Sequence, residues 1–148
     1  MKTFDELVPL IQNWGSEKKI NNAFNQQLKF IDEFGELTGG YLKNNEPIKK
    51  DGLGDSIVTV IILAKIIDKK IDLTKGNYYE INEKTFPDTY WGIIHDVENL
   101  RINNAIHGMV YLASQFFGLA YVECLNIAWN EIKDRKGETV NDSFVKNE

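Results

Sequence analysis

Two pairs of acidic residues in successive, largely apolar segments constrain this chain more than any other feature. Glu33 and Glu36 are three residues apart, and Asp51 and Asp55 are four apart. Residues at these spacings are neighbours on one face of a helix. Apolar residues around the first pair recur at intervals of three and four, as in an amphipathic helix. Two such helices packed antiparallel would aim all four carboxylates at one point, and we predict this arrangement.

Carboxylates that crowd together cannot all stay ionised without a counter-charge. A hard divalent cation that prefers oxygen ligands is the simplest one, so we predict Mg²⁺, with Mn²⁺ as an alternative ion. Single acidic residues on a helix usually form a solvated face, but here Gly35, Gly52 and Gly54 are interleaved with the acids. Each glycine costs ~1 kcal/mol of helix stability relative to alanine. Glycine at these positions therefore predicts close approach by another helix or a ligand.

Length and composition exclude several kinds of protein. A length of 148 residues suits a single domain, here 1–148. The net charge of −5 argues against general nucleic-acid binding. Cys124 is the single cysteine, which excludes a disulfide framework and a cysteine-rich zinc site. The acidic start does not resemble a secretory signal, and no stretch approaches the roughly 20 apolar residues of a membrane span. We therefore expect a soluble, cytoplasmic protein without a membrane partner.

Periodicity predicts an all-α helical bundle of four to six helices. The first helix ends near Trp14, whose ring either belongs to the core or borders a base-binding pocket. The acidic helix covers about 21–42. Its stripe of Gln26, Lys29, Glu33, Glu36 and Gly40 is predicted to lie opposite an apolar side formed by Phe24, Leu28, Ile31 and Phe34.

Further elements are predicted along the rest of the chain. A loop at 43–47 is expected because a residue before proline disfavours helix. The apolar segment 56–67 favours a buried central helix, although its β-branched residues leave a strand open. We expect an extended connection at about 68–90, then a stripe from Met109 to Phe117 that is core or subunit interface. A last helix at about 120–136 ends at Gly137 as C-cap, before a polar tail at about 138–148.

The segments Lys29–Leu37 (KFIDEFGEL) and Asp51–Asp55 (DGLGD) resemble the MazG-like branch of the all-α nucleoside triphosphate pyrophosphohydrolases, which bacteria and phages often encode. That family carries E-x-x-E on one helix and E-x-x-D on the next, binds Mg²⁺ and cleaves nucleotides between the α and β phosphates. The resemblance implies that Glu33, Glu36 and Asp55 are metal ligands. Gly52 departs from the pattern three residues before Asp55, and the adjacent Asp51 is the nearby substitute.

The run Cys124–Gly137 resembles the C-terminal helix of MazG-like proteins, where asparagine and basic residues complete the site. By position, the resemblance implies substrate-binding roles for Asn130, Lys133, Arg135 and Lys136. The alternative is that the basic residues only complement the helix C-terminus. Gln26 and Lys29 share the acidic stripe and are predicted to bind substrate; the alternative for Lys29 is an ion pair with Glu33 instead of a contact with phosphate. The resemblance also implies a homodimer or homotetramer with sites near subunit interfaces.

We therefore predict Mg²⁺-dependent hydrolysis of (deoxy)nucleoside triphosphates to nucleoside monophosphate and pyrophosphate. Glu33 or Glu36 is the predicted catalytic base for the attacking water. No P-loop sequence is present, and no Glu-x-x-His pair supports a ferritin-like di-iron bundle. Two alternatives stay open. The first is a catalytically weakened nucleotide-binding or regulatory protein, and the second is a structural helical interaction module.

Overall fold

The computed structural model describes residues 1–74, 79, 82–140 and 143–147. The predicted all-α bundle of four to six helices is confirmed, because six α-helices build this part of the chain. A short π-helical segment, Ala113–Phe117, follows the fifth helix and ends at Gly118, whose φ is +64°. The six helices are α1 Phe4–Glu17, α2 Ala23–Leu42, α3 Glu46–Ile66, α4 Phe86–Glu98, α5 Ile102–Leu112 and α6 Tyr121–Ile132.

Helix α3 is the centre of the bundle. From Gly52 to Ala64 every residue except Asp55 is buried, so the segment is the predicted central helix and the strand alternative is wrong. The predicted loop at 43–47 is too long, because α3 already begins at Glu46. Proline is tolerated in the first turn of a helix, where its missing N–H would have no partner. Asn45 caps this turn, and its side-chain oxygen accepts a hydrogen bond from Ile48 N at 3.1 Å.

Glycines set the contacts of α3 with its neighbours. A Cβ on Gly52 would lie 2.7 Å from the Cα of Leu37 in α2, and one on Gly54 would overlap the carbonyl oxygen of Cys124 in α6. The predicted close approach is therefore confirmed at both positions, with helix backbone as the neighbour. At Gly35 close approach by another helix is wrong, because an added Cβ would have no described protein atom within 4 Å; approach by a ligand there stays a prediction. The α2 and α6 backbones thus both touch α3 at the level of the acidic pair.

The predicted apolar side of α2 is largely wrong. Phe24, Leu28 and Ile31 are 65%, 50% and 48% exposed. Helix α2 carries two apolar stripes, and helical spacing does not tell which of them packs on α3. The packed stripe is the one that also contains a glycine for close contact and a glutamine whose Nε2 donates to Thr59 O of α3 at 3.1 Å. The buried residues of α2 are Gln26, Phe30, Phe34, Leu37 and Gly40.

The stripe from Met109 to Phe117 belongs to the core. Met109, Leu112, Ala113 and Phe117 are all buried within the chain. The core alternative is therefore confirmed for these four residues, because the chain's own helices cover them. A subunit interface that uses the remaining residues of the stripe stays a prediction.

The structure corrects the predicted ends of the extended connection and of the last helix. The extended connection ends before residue 90, because α4 already begins at Phe86 with Thr85 as its N-cap. Residues 75–78 and 80–81 of that connection lie outside the described residues. The last helix ends at Ile132, and Gly137 begins a strand instead of capping the helix. In place of a polar tail, β1 Gly137–Val140 pairs antiparallel with β2 Ser143–Lys146; residues 141, 142 and 148 lie outside the description.

Among the described residues, no single helix is both long and apolar enough to cross a membrane. Ile102–Phe117 and Tyr121–Ile132 reach that length and composition only together, with a bend of 113° between them.

Candidate metal and nucleotide site

Acidic side chains from three helices meet beside α3. Carboxylate oxygens of Glu33 and Glu36 from α2 and of Asp55 from α3 lie within 4.8 Å of one another. Asp51 and Asp55 form a second group of the same width with Glu131 of α6. The structure thus brings together all four acids named from the sequence and adds a fifth. Asp55 belongs to both groups and joins them into one acidic cluster.

The glycine contacts explain why these acids meet. Helices α2 and α3 are joined by only three residues, which makes them antiparallel neighbours. The absence of a side chain at Gly52 lets the backbone of α2 approach the turn that carries Asp51 and Asp55. Gly54 admits the backbone of α6 on the other side, and that helix supplies Glu131.

Burial and mutual repulsion raise the pKa values of this cluster. The pKa of Asp55 rises to about 8, first because the group is buried and then because the charges of Asp51 and Glu33 are close. Glu36 and Glu131 are exposed, but partial desolvation and a neighbouring acid still raise the pKa of each. The neighbour is Glu33 for Glu36 and Asp51 for Glu131. The site therefore binds protons readily when no other cation is present.

Lys29 and Gln26, both predicted to bind substrate, lie beside the cluster. The Nζ of Lys29 is 3.2 Å from Glu33 Oε1 and 3.6 Å from Asp32 Oδ2. Lys29 thus forms the predicted ion pair with Glu33 and also lines the cavity. The amide of Gln26 is fixed by its hydrogen bond to α3 and lines the same cavity.

A cavity of about 530 Å³ opens in front of the acids, within the usual size range of small-molecule sites. It has three kinds of wall: an acidic wall, cationic side chains from α2, β2 and the segment after α6, and an apolar wall with two aromatic rings. Its lining residues are Trp14, Ile20, Gln26, Lys29, Asp32, Glu33, Glu36, Asp51, Asp55, Val58, Thr59, Ile62, Ile132, Arg135, Phe144, Val145 and Lys146.

Three predicted substrate residues do not line this cavity. Asn130, Lys133 and Lys136 are exposed, whereas Arg135 does line it. These three lie away from the cavity because the face of α6 that packs inward centres on Ala128 and Ile132, and their substrate-binding role stays a prediction. Arg135 follows that face by one turn and therefore reaches the cavity.

Glu131 is the acid that the sequence reasoning missed. It precedes the buried Ile132 by one residue and stands four residues before Arg135. The four-residue spacing of Glu131 and Arg135 puts these opposite charges on the same side of a helix, and it was the available signal. Phe144 and Lys146 were also not assigned to the site, although Phe144 and Val145 form an apolar pair inside a polar tail.

The donor set of the cluster fits a hard divalent cation. Its ligand atoms are all carboxylate oxygens, the type that Mg²⁺ prefers, and they lie close enough to share an ion. Asp51 Oδ1 is buried and has no hydrogen-bond partner among the described residues. A buried acceptor without a partner is costly, so a cation at this position would satisfy it.

Comparison with known proteins finds a similarity to a phage protein. The chain is 34% identical over 68 residues to an uncharacterized 18.2 kDa protein of the rep-hol intergenic region of Haemophilus phage HP1. The matched segment covers 44% of this chain and 42% of the phage protein. No family model matches, and no solved structure shows a significant match.

Proposed function

We propose that this protein is a Mg²⁺-dependent nucleoside triphosphate pyrophosphohydrolase. The reaction would split a (deoxy)nucleoside triphosphate between its α and β phosphates into nucleoside monophosphate and pyrophosphate. The observation that carries the proposal is the convergence of Glu33, Glu36 and Asp55 on one wall of a nucleotide-sized cavity. The sequence resemblance of the same acids to the MazG-like motif supports it.

The cavity suits a nucleotide because its walls differ in chemistry. The acids would hold Mg²⁺, the cations Arg135 and Lys146 would face phosphate oxygens, and the apolar wall would face a base. An all-acidic cavity would repel a triphosphate, so the cations and the metal are both required. When bound, Mg²⁺ supplies electrophilic polarisation of phosphate oxygens.

Glu36 is our candidate for the general base. Glu33 already pairs with Lys29, whereas Glu36 forms no ion pair within 4.0 Å among the described residues. Glu36 is also the exposed member of its group of three acids, so water can reach its carboxylate. A water held at Glu36 would give its proton to the carboxylate while its oxygen bonds to the α phosphorus. The bond to the bridging oxygen breaks, and pyrophosphate leaves with the electron pair, its charge balanced by Arg135.

The test is product analysis with a panel of ribo- and deoxyribonucleoside triphosphates. We expect monophosphate and pyrophosphate in equal amounts in Mg²⁺, and none after chelation by EDTA. Glu36→Gln should lower kcat by about 100-fold or more, as expected for loss of a general base. Glu17→Gln, an exposed residue outside the cavity, is the matched control. Release of inorganic phosphate alone, or no turnover with any substrate, would refute the proposal.

One observation favours a second candidate, a nucleotide-binding protein with little or no turnover. Gly52 stands where the family pattern has an acid, and the backbone of Leu37 leaves no room for a side chain there. Asp51 and Glu131 stand close enough to replace that ligand. Equilibrium binding of Mg²⁺–nucleotide without product formation would favour this candidate over the enzyme.

Two further predictions concern the metal ion and the oligomeric state. Mn²⁺ is expected to substitute for Mg²⁺ because both ions accept oxygen ligands in octahedral geometry. The homodimer or homotetramer implied by the resemblance stays a prediction, which sedimentation of the purified protein would test.

A further inference from the structure

The C-terminal hairpin contributes three consecutive residues to the lining of the acidic cavity, Phe144, Val145 and Lys146. Phe144 and Lys146 are two residues apart on β2, so they project to the same side of the strand. Both line the cavity that Glu33, Asp51 and Asp55 also line. The hairpin therefore brings an aromatic ring and an ammonium group to a site that is otherwise built by helices.

Phe144 contacts α1 through a defined ring pair. Its ring centroid lies 5.1 Å from that of Trp14, at an interplanar angle of 83°, which is a favourable edge-to-face arrangement. Trp14 is almost fully buried, since only 7% of it is exposed. Its Nε1 has no hydrogen-bond partner among the described residues. The apolar wall thus contains a buried donor that an acceptor on a ligand would satisfy.

Lys146 differs from the other lysine of the cavity. Lys29 is already engaged by two carboxylates. Neither Lys146 nor Arg135 is within 4.0 Å of a carboxylate in the part of the chain that the structure describes. An unpaired cation at the rim of an acidic cavity is available to an anionic ligand. Lys146 and Arg135 are therefore the cavity groups best placed to hold phosphate.

We propose that the hairpin is part of the substrate site, with Lys146 binding a phosphate of the nucleotide and Phe144, together with Trp14, contacting its base. This inference rests on the proposed function and adds two specificity-determining residues to it. A two-stranded hairpin is at best marginally stable alone, and this one is held on α1 by Phe144. Nucleotide that touches both Phe144 and Lys146 would therefore add contacts between β2 and the helices.

The test compares Lys146→Gln and Phe144→Ala with Lys69→Gln, which removes an exposed lysine outside the cavity. The probe is a non-hydrolysable α,β-methylene nucleoside triphosphate with Mg²⁺, and the readouts are its Kd and the separate kcat and KM of turnover. We expect Kd and KM to rise about tenfold in each hairpin variant, the size of a lost charged hydrogen bond or a ring contact. The kcat should change much less, and Lys146→Arg should restore binding.

A second readout reports on Trp14 directly. In a background with Trp91→Phe and Trp129→Phe, the emission of Trp14 should change when the nucleotide binds, and less so after Phe144→Ala. Hairpin variants that match Lys69→Gln in Kd and KM would overturn the inference, while the proposed function would stand if Glu36→Gln still abolished turnover. If the unaltered protein neither binds nor cleaves any nucleotide, the proposed function falls and this inference with it.

Discussion

Asp55 is an ionisable residue at a position where burial disfavours a charge. It is an acid within the most buried stretch of the molecule, between Gly54 and Ser56, both of which are buried. Burial and the neighbouring acids hold its pKa near 8. A carboxyl group placed this way lowers the stability of the metal-free fold once it ionises. Local rules of folding are commonly broken at functional sites, and a bound cation would remove the conflict.

Stability of the metal-free protein should fall as pH rises. The unfolded chain loses the proton of Asp55 near its ordinary pKa of 3.8, whereas the folded chain keeps it until about pH 8. Between these values unfolding releases a proton, so a higher pH favours unfolding. Urea unfolding in EDTA from pH 5 to pH 8 measures this, and Asp55→Asn should flatten the slope. Stability that instead increases over this range would show that the acids are not crowded in solution.

Added Mg²⁺ should raise Tm, and more at pH 8 than at pH 6. The reason is that protons and the cation compete for the same carboxylates, and fewer protons are bound at the higher pH. At a concentration of 100 Kd the stabilisation would be about 2.7 kcal/mol. Thermal unfolding at matched ionic strength with NaCl separates binding from screening. Glu33→Gln and Asp55→Asn should each weaken the shift, and an equal shift in those variants would count against the cluster as the metal site.

At the scale of elements, helix backbones in contact build the site. The α2–α3 contact at Gly52 and the α3–α6 contact at Gly54 set how far apart the acidic side chains stand. A larger residue at either position would push a whole helix away, because the neighbouring atom is backbone and cannot rotate aside. The site geometry therefore depends on residues that touch no ligand.

Substitution of Gly52 should show whether the α2–α3 contact or helix propensity has the larger effect on stability. Gly52→Ala should destabilise the protein by about 1–3 kcal/mol, the usual cost of overpacking, despite the gain in helix propensity. Gly52→Glu, which would restore the family pattern, should destabilise the protein more than Gly52→Ala does. It should not add a metal ligand, because the backbone of Leu37 leaves no room for the side chain. Gly35→Ala has open space around its Cβ and should stabilise by about 0.5–1 kcal/mol. Urea unfolding of the three variants gives the comparison; equal effects at both glycines would contradict the packing account.

At the scale of the whole molecule, periodicity predicted the helical class and the central place of α3, because a long apolar run must be buried. It did not predict which stripe of α2 packs inward. Phe24, Leu28 and Ile31 have helical spacing as good as that of Phe30, Phe34 and Leu37, and only the tertiary contact with α3 separates them. The acids were found because their spacing is local to each helix. Glu131 was missed because its place depends on the rotation of α6.

The hairpin shows the other limit of sequence reasoning. A short two-stranded ribbon has a weak alternating pattern, and the segment 137–147 reads as polar and charged apart from a few residues. Its role at the cavity depends on a contact between Phe144 and Trp14, which are 130 residues apart in sequence. Such a long-range contact leaves no local signal.

A crystal structure with Mn²⁺ and an α,β-methylene nucleoside triphosphate, read by anomalous scattering at the manganese edge, would locate the metal directly. We expect at least one anomalous peak within coordination distance of carboxylate oxygens from Glu33, Glu36 and Asp55, with phosphate oxygens on the same ion. Manganese bound elsewhere, with these three carboxylates turned away from it and from the nucleotide, would rule out the acidic cluster as the metal site.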